Sequence, residues 1–191
     1  MKDKGSDPRV QRTRRLLQQS LGKLLESKKF EDISVQDIAD EATVNRATFY
    51  DHYDDRFSLL ECMIASRFHE LLAEREVQFD GTCGAKLHAM VLALCDYLAS
   101  LPGVAEGRRT EPHMESAIIA VLREILLEGL KRHAAEKCVA PEIVAAAASW
   151  AMYGAAREWA QTPGRCPAGE IAGTVAGLVA PILGVGEAAG R

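Results

Sequence analysis

Apolar residues recur along most of this chain at intervals of three and four, the repeat of helices that bury one face. In residues 9–28, Leu17, Leu21, Leu24 and Leu25 share such a face, and arginines crowd its beginning. Phe30 and Ile33 then lead into SVQDIADEATVNRATFYDHYDDRFSLL, residues 34–60. This stretch predicts two short helices, a tight turn between them and the start of a longer third. Ser34 with Asp37 three residues on supplies a capping-box start for the first. Asn45, after the turn Ala42-Thr43-Val44, caps the second. Two short helices joined in this way form a helix-turn-helix, whose second helix enters the DNA major groove.

Asp54 or Asp55 caps the third helix, where Phe57, Leu60, Ile64, Phe68 and Leu71 form a stripe one turn apart and predict a helix to about residue 79. Glycines at 81 and 84 precede a helix over about 85–101, and residues 102–112 read as a loop. A further amphipathic helix carries Ile118, Leu122, Ile125 and Leu126. Pro141 opens another to about residue 161, Pro163-Gly164 breaks it, and Pro167 opens a last one to about 183. These final two helices are small-sided: Ala145 to Ala148, Ala151, Gly154, Ala155 and Ala156 in one, Gly173, Ala176 and Gly177 in the other. Small side chains permit close approach, either within the chain or between two copies forming a four-helix bundle. Residues 1–8 read as a disordered arm and the glycine-rich tail as frayed.

Aromatic content is low and β-branched runs are short, so strands have little support and the fold class predicted is all-α. No apolar run approaches a membrane span, and the polar, basic N-terminus lacks a signal-peptide core, which predicts a cytoplasmic protein with no membrane partner. Five scattered cysteines without CxxC spacing argue for reduced thiols and against a zinc site. The formal net charge of −4 changes meaning when resolved along the chain. Residues 1–30 carry +6, residues 31–60 carry −6 and the remainder −4. A local basic patch is what phosphate attraction needs. Asp51, Asp54 and Asp55, beside the reading helix, work against it unless some of them cap helices.

The first third of the chain resembles the TetR/AcrR family of one-component transcriptional regulators. Thr13, Leu16, Leu17, Leu21, Phe30, Ser34, Val35, Ile38, Ala39, Ala42, Val44, Thr48, Phe49, Tyr50, His52, Tyr53, Arg56 and Leu60 follow the family's order and spacing. The remaining two thirds match in layout only. The family often has glycine at the positions of Lys29 and Thr43, where a left-handed backbone would cost another residue about 1 kcal/mol. The resemblance implies an amino-terminal three-helix DNA-binding unit (residues 1–55) and a carboxy-terminal helical domain for ligand binding and dimerisation (residues 56–191). It also implies a homodimeric repressor on a palindromic double-stranded operator, released by a small molecule.

At the start of the reading helix, Arg46 can reach guanine bidentately and the methyls of Ala47 and Thr48 can meet thymine, with Gln36 a further candidate. A solvated Arg46 and a locally capping Thr48 are the plainer alternatives. The resemblance carries phosphate contacts onto Ser34, Thr43, Tyr50, His52 and Arg56, groups able to donate to phosphate oxygens. Asn45 belongs to the same surface, and Arg12 and Arg14 approach the DNA backbone. Tyr53 packs with Phe49 and Ile38 instead. In the second domain, Phe68, His88, Cys95, Met114, Ile118, Leu122, Trp150 and Tyr153 are candidate walls and anchors of an effector pocket. Ala148, Ala155, Trp159, Val175 and Leu178 are candidates for the dimer interface. Each can equally be core filling. No cofactor, metal or catalytic group is expected. A helical enzyme using His88 or His113 with Glu111 or Glu115 lacks an assembled nucleophile, base and orienting group. A dimeric interaction module that has lost its DNA or ligand response is the remaining alternative.

Overall fold

In the first unit, helix starts follow the capping residues rather than the ends of the apolar stripes. A computed structural model describes residues 7–100, 112–132 and 139–185, all of it helix and turn, with no strand among the described residues. The chain divides into two compact units, residues 1–64 and 65–191. Residues 1–6 of the expected arm, most of the expected 102–112 loop and the end of the tail lie outside the described residues.

The first unit begins with α1, Pro8–Leu25. Asp7 and Pro8, expected in the arm, start this helix instead: the Asp7 carboxylate accepts from Arg9 N at 2.9 Å, and proline suits the first turn. A single turn of 3-10 helix, Phe30–Asp32, leads to α2, Val35–Glu41, and α3, Arg46–Tyr50. Lys29 has φ −74°, so the glycine frequent there in the family has no left-handed role to fill here. Thr43 does: its φ is 55°. Thr43 N bonds Asp40 O and Val44 N bonds Ala39 O, closing α2 with a Schellman motif around a non-glycine residue. The core is formed by Leu17, Leu21, Phe30, Ile33, Ile38, Ala39, Phe49, Tyr53, Leu59, Leu60 and Ile64, all buried.

The last three of these lie on α4, Arg56–Glu74, and the division between units falls inside that helix. The boundary therefore lies nine residues beyond the expected one, because the opening turns of α4 complete the first unit's core. The helix also stops short of residue 79. Glu76 takes φ 53° and another Schellman pair, Glu76 N to Ala73 O and Val77 N to Leu72 O, ends it.

The second unit continues with α5, Gly84–Ser100, α6, Pro112–Arg132, α7, Pro141–Gln161, and α8, Ala168–Leu183. The connection from α4 to α5 turns on Asp80. Its Oδ1 accepts from Thr82 N, Thr82 Oγ and Cys83 N at 3.0–3.1 Å, and its Oδ2 from Lys86 Nζ at 2.6 Å. Together these hold its carboxyl well below the usual range. Gly129 on α6 lets this connection pass, since a Cβ there would lie 2.6 Å from the Phe79 ring and 2.9 Å from the Phe79 carbonyl oxygen. Helices α5, α6, α7 and α8 pack around Leu94, Leu98, Ile118, Leu122, Leu126, Met152, Tyr153 and Val179.

Candidate nucleic-acid interface

Short helices stand or fall by their ends, and both reading elements are capped at their start. Ser34 accepts from Asp37 N at 3.1 Å, while the Asp37 carboxylate accepts from Ser34 N at 2.9 Å and from the Ser34 hydroxyl. The Asp37 carboxylate also pairs with Lys28 at 3.0 Å, and these bonds, the serine hydroxyl's foremost, hold it far below the ordinary carboxylate range. Asn45 Oδ1 accepts from Ala47 N at 2.9 Å and starts α3. Asp55 caps α4 reciprocally with Ser58, accepting from Ser58 N at 2.7 Å.

These contacts explain much of the acidic stretch. Lys23 pairs with Glu41 and Lys28 with Asp37, so part of the basic surplus of residues 1–30 neutralises α2 across its contact with α1. Asp40 accepts from Gln36 Nε2 at 2.7 Å, and Asp55 is a cap. Asp51 and Asp54 remain exposed.

Of the sequence candidates, Ser34, Gln36, Thr43, Asn45, Arg46, Ala47 and Tyr50 are exposed, and Thr48 and His52 are half-buried. Ser34, Gln36, Arg46 and Tyr50 share one open concavity of about 440 Å³ with Ile33, Arg56 and Phe57. Arg46 lies over the Tyr50 ring at 5.6 Å and donates to the Tyr50 hydroxyl at 3.2 Å, so the two are ordered together on the exposed face of α3. Arg12 and Arg14 are exposed on α1, with Arg14 5.8 Å from the Tyr53 ring centre. Tyr53 itself is core: its hydroxyl accepts from Gln18 at 3.2 Å, and burial pushes its pKa up to about 12. Arg56, on the wall of the same concavity, is half-buried and turned toward the backbone. Its Nη1 donates to three carbonyl oxygens, of Phe30, Glu31 and Ile33.

The second unit rearranges the other candidates. Phe68, Cys95, Ile118, Leu122 and Tyr153 are buried in its core, where burial holds the Cys95 thiol up at about 12. Met114 and His88 are half-buried, and His88 Nε2 lies 3.3 Å from the Gly169 carbonyl. Trp150 leaves the expected pocket altogether: it is 56% exposed, because the alanines of α7 bury the opposite face. Trp159 moves the other way. Its indole N–H donates to Cys166 O at 2.9 Å and Arg165 stacks on it at 4.8 Å, so it closes the α7–α8 turn of its own chain. Ala148 and Val175 are likewise buried within the chain, whereas Ala155 is half-buried and Leu178 is 68% exposed. A cleft of about 250 Å³ opens between α4 and α5, lined by Arg67, Glu70, Leu71, Glu74, Arg75, Asp96, Tyr97 and Ser100. Leu71 lies on the apolar stripe expected for α4, whereas the charged members of the lining were not among the sequence candidates.

Among the described residues no group of three or more His, Cys, Asp or Glu could hold a metal ion, and no helix is long and apolar enough to cross a membrane. A capped helix-turn-helix on an all-helical chain defines the class of DNA-binding transcriptional regulators. Residues 23–63 match the family model for bacterial regulatory proteins of the tetR family. Over 72 residues, 37% of this chain, it is 40% identical to the uncharacterized HTH-type transcriptional regulator YxbF of Bacillus subtilis (strain 168), of which that stretch spans 19%. Solved structures share the fold over nearly the whole chain. The complex of RolR with resorcinol has a TM-score of 0.60 at 16% identity, covering 94% of this chain and 91% of that one. The Thermus thermophilus repressor FadR, bound to lauroyl-CoA, has a TM-score of 0.56 at 21% identity, covering 93% and 98%. The amino-terminal unit thus carries the helix-turn-helix of the tetR family of bacterial regulatory proteins.

Proposed function

We propose that this regulator is a repressor that binds a palindromic operator as a homodimer and leaves it when a small molecule binds the second unit. The observation that carries the DNA half is the Asn45-capped α3, which presents Arg46, Ala47 and Tyr50 together on its exposed face. Arg46 and Ala47 read base edges, with Thr48 and Gln36 beside them, and Ser34, Thr43, Tyr50 and His52 meet phosphates. Arg12 and Arg14 add backbone attraction.

The dimer reading rests on two exposed apolar stripes. On α7, Ile143, Ala147, Trp150, Ala151 and Gly154 face solvent, and on α8, Gly173, Gly177, Leu178 and Ile182 do. Large apolar side chains beside small ones suit a second copy packing closely, in a four-helix arrangement. Two such copies would set their reading helices one DNA turn apart, about 34–36 Å. The effector half draws on likeness: solved proteins of this fold hold resorcinol and lauroyl-CoA. A ligand acts here by binding better to the state that reads DNA worse.

Selection of bound sequences from random duplex DNA, with and without a panel of aromatic and acyl compounds, tests this reading. The expected result is a motif with inverted half-sites, lost in an Arg46→Ala, Tyr50→Ala double variant and weakened by a compound. Sequence-specific binding that survives the double variant would refute the assigned reading surface. The exposed Asp51 and Asp54 favour a second reading, an interaction module without DNA affinity, which binding at low salt would exclude.

A further inference from the structure

Arg56 opens α4, and the Asp55–Ser58 capping box already fixes where that helix begins. Arg56 is therefore not needed to start its own helix. Its Nη1 instead reaches back 23 to 26 residues, to Phe30 O at 2.9 Å, Glu31 O at 3.0 Å and Ile33 O at 2.6 Å. Its guanidinium carbon lies 4.9 Å from the centre of the Phe30 ring and 5.1 Å from that of Phe57. Those two rings meet edge to face at 5.4 Å. A flat, delocalised cation suits such a seat, and a lysine ammonium does not.

The three carbonyls belong to the turn that delivers the chain to α2, and fully buried Ile33 directly precedes the Ser34 cap. Arg56 thus ties the entry of α2 to the first turn of α4, and α2 carries α3 through the Thr43 turn. We propose that Arg56 is a positioning residue for operator recognition: it holds α2 and α3 in register with α4 and does not itself meet a phosphate. This rests on the DNA-binding reading above. Both hydrogens of Nη1 are already directed at carbonyl oxygens, so a phosphate that met this nitrogen would have to displace them, and hydrogen bonds to charged groups are the strong ones.

The test uses the full-length protein, the duplex recovered by selection with the wild type, and a random duplex of equal length. Arg56→Met removes donors and charge at similar length, and Arg56→Lys keeps the charge. Arg56→Met is expected to weaken binding to the selected duplex by about tenfold or more, the scale of losing hydrogen bonds to a charged group. Binding to the random duplex and the salt dependence should stay as in the wild type, and Arg56→Lys should show the same selective loss. Equal weakening on both duplexes, with a log–log salt slope shallower by about 0.9 and rescue by lysine, would make Arg56 a phosphate contact and overturn the proposal. A lowered melting temperature with unchanged affinity of the folded protein for both duplexes would overturn it as well. Should Arg56→Met not fold, Arg56→Lys alone reads the difference between the two duplexes. A wild type that selects no sequence refutes the DNA-binding reading, and the positioning role with it, before any variant is made.

Discussion

Helix α3 is 5 residues long and α7 is 21, and different physics holds them in place. A helix of one turn cannot sustain itself, because nucleation fixes several residues for a single hydrogen bond. Around α3, the Asn45 cap, the Ser34–Asp37 box, the Asp55–Ser58 box and the Arg56 carbonyl bonds supply what length does not. Only Phe49 anchors α3 in the core. In α7, by contrast, Ala145, Ala148, Ala156 and Ala160 alternate with Met152, Tyr153 and Trp159 along a long buried face. That face needs close approach more than caps, and the N-cap residue Ala140 makes no side-chain hydrogen bond. The ends of the short reading helices are therefore fixed by a few individual polar bonds over a small apolar core, whereas α7 is held by a long face of small apposed surfaces.

The most damaging change on the first side of this contrast should be Phe49→Ala. Phe49 is fully buried, meets Tyr53 at 6.0 Å and Tyr50 at 5.4 Å, and anchors a five-residue helix. Urea unfolding should show a loss of about 3–5 kcal/mol, and operator binding should disappear with it. A loss below about 1 kcal/mol would mean that caps alone hold α3. Gly129→Ala is the matching break in the second unit. The added methyl meets the Phe79 ring and carbonyl, so the α4–α5 connection must shift, at a cost of about 1–3 kcal/mol. Since alanine favours helix over glycine by about 1 kcal/mol, a net gain in stability would show that the connection yields freely.

The same contrast decides what could be read from the sequence. The first unit was legible because its order is written in polar spacing: Ser34 to Asp37, Asn45 before Arg46, Asp55 before Arg56. The second unit's helices were legible from their prolines, and Pro141–Gln161 emerged as expected. Their facing was not. With alanine on nearly every side of α7, apolar spacing does not say which face is buried, so Trp150, expected in a pocket, lies exposed and Trp159, expected at an interface, is buried in its own chain. The end of α4 was illegible for a related reason: Glu76 adopts the left-handed conformation that glycine would have announced. The role of Arg56 depended on backbone carbonyls, which no side-chain pattern displays.

A smaller effect should come from Ser34→Ala, about 1 kcal/mol for loss of the cap, measured by urea unfolding near neutral pH. It should also blunt the response to acid. Asp37 has its carboxyl pK lowered chiefly by the serine hydroxyl, so its contribution is complete above the unfolded value near 4 and is lost as pH falls below it. Asp80, lowered by Lys86, behaves the same way in the second unit. Acid should therefore weaken both units of the wild type, and Ser34→Ala should remove part of the pH dependence arising from the first. A variant with undiminished acid sensitivity would place that dependence on Asp80 and other carboxylates.

The smallest expected change runs in the opposite direction. Thr43 holds φ at 55°, and a β-branched residue is a poor occupant of that region. Glycine at this position relieves about 1–2 kcal/mol of steric cost and gives back part through its greater unfolded-state freedom, for a net gain of about 0.5–1 kcal/mol. Urea unfolding of Thr43→Gly should show that gain, while operator binding should weaken if the hydroxyl meets a phosphate as proposed. Stability and affinity would then move in opposite senses at one residue of the turn, as expected of strain retained for a contact. A gain in stability with unchanged affinity would leave the Thr43 hydroxyl without a role and return the turn to pure geometry, closing α2 in the way Gly184 closes α8.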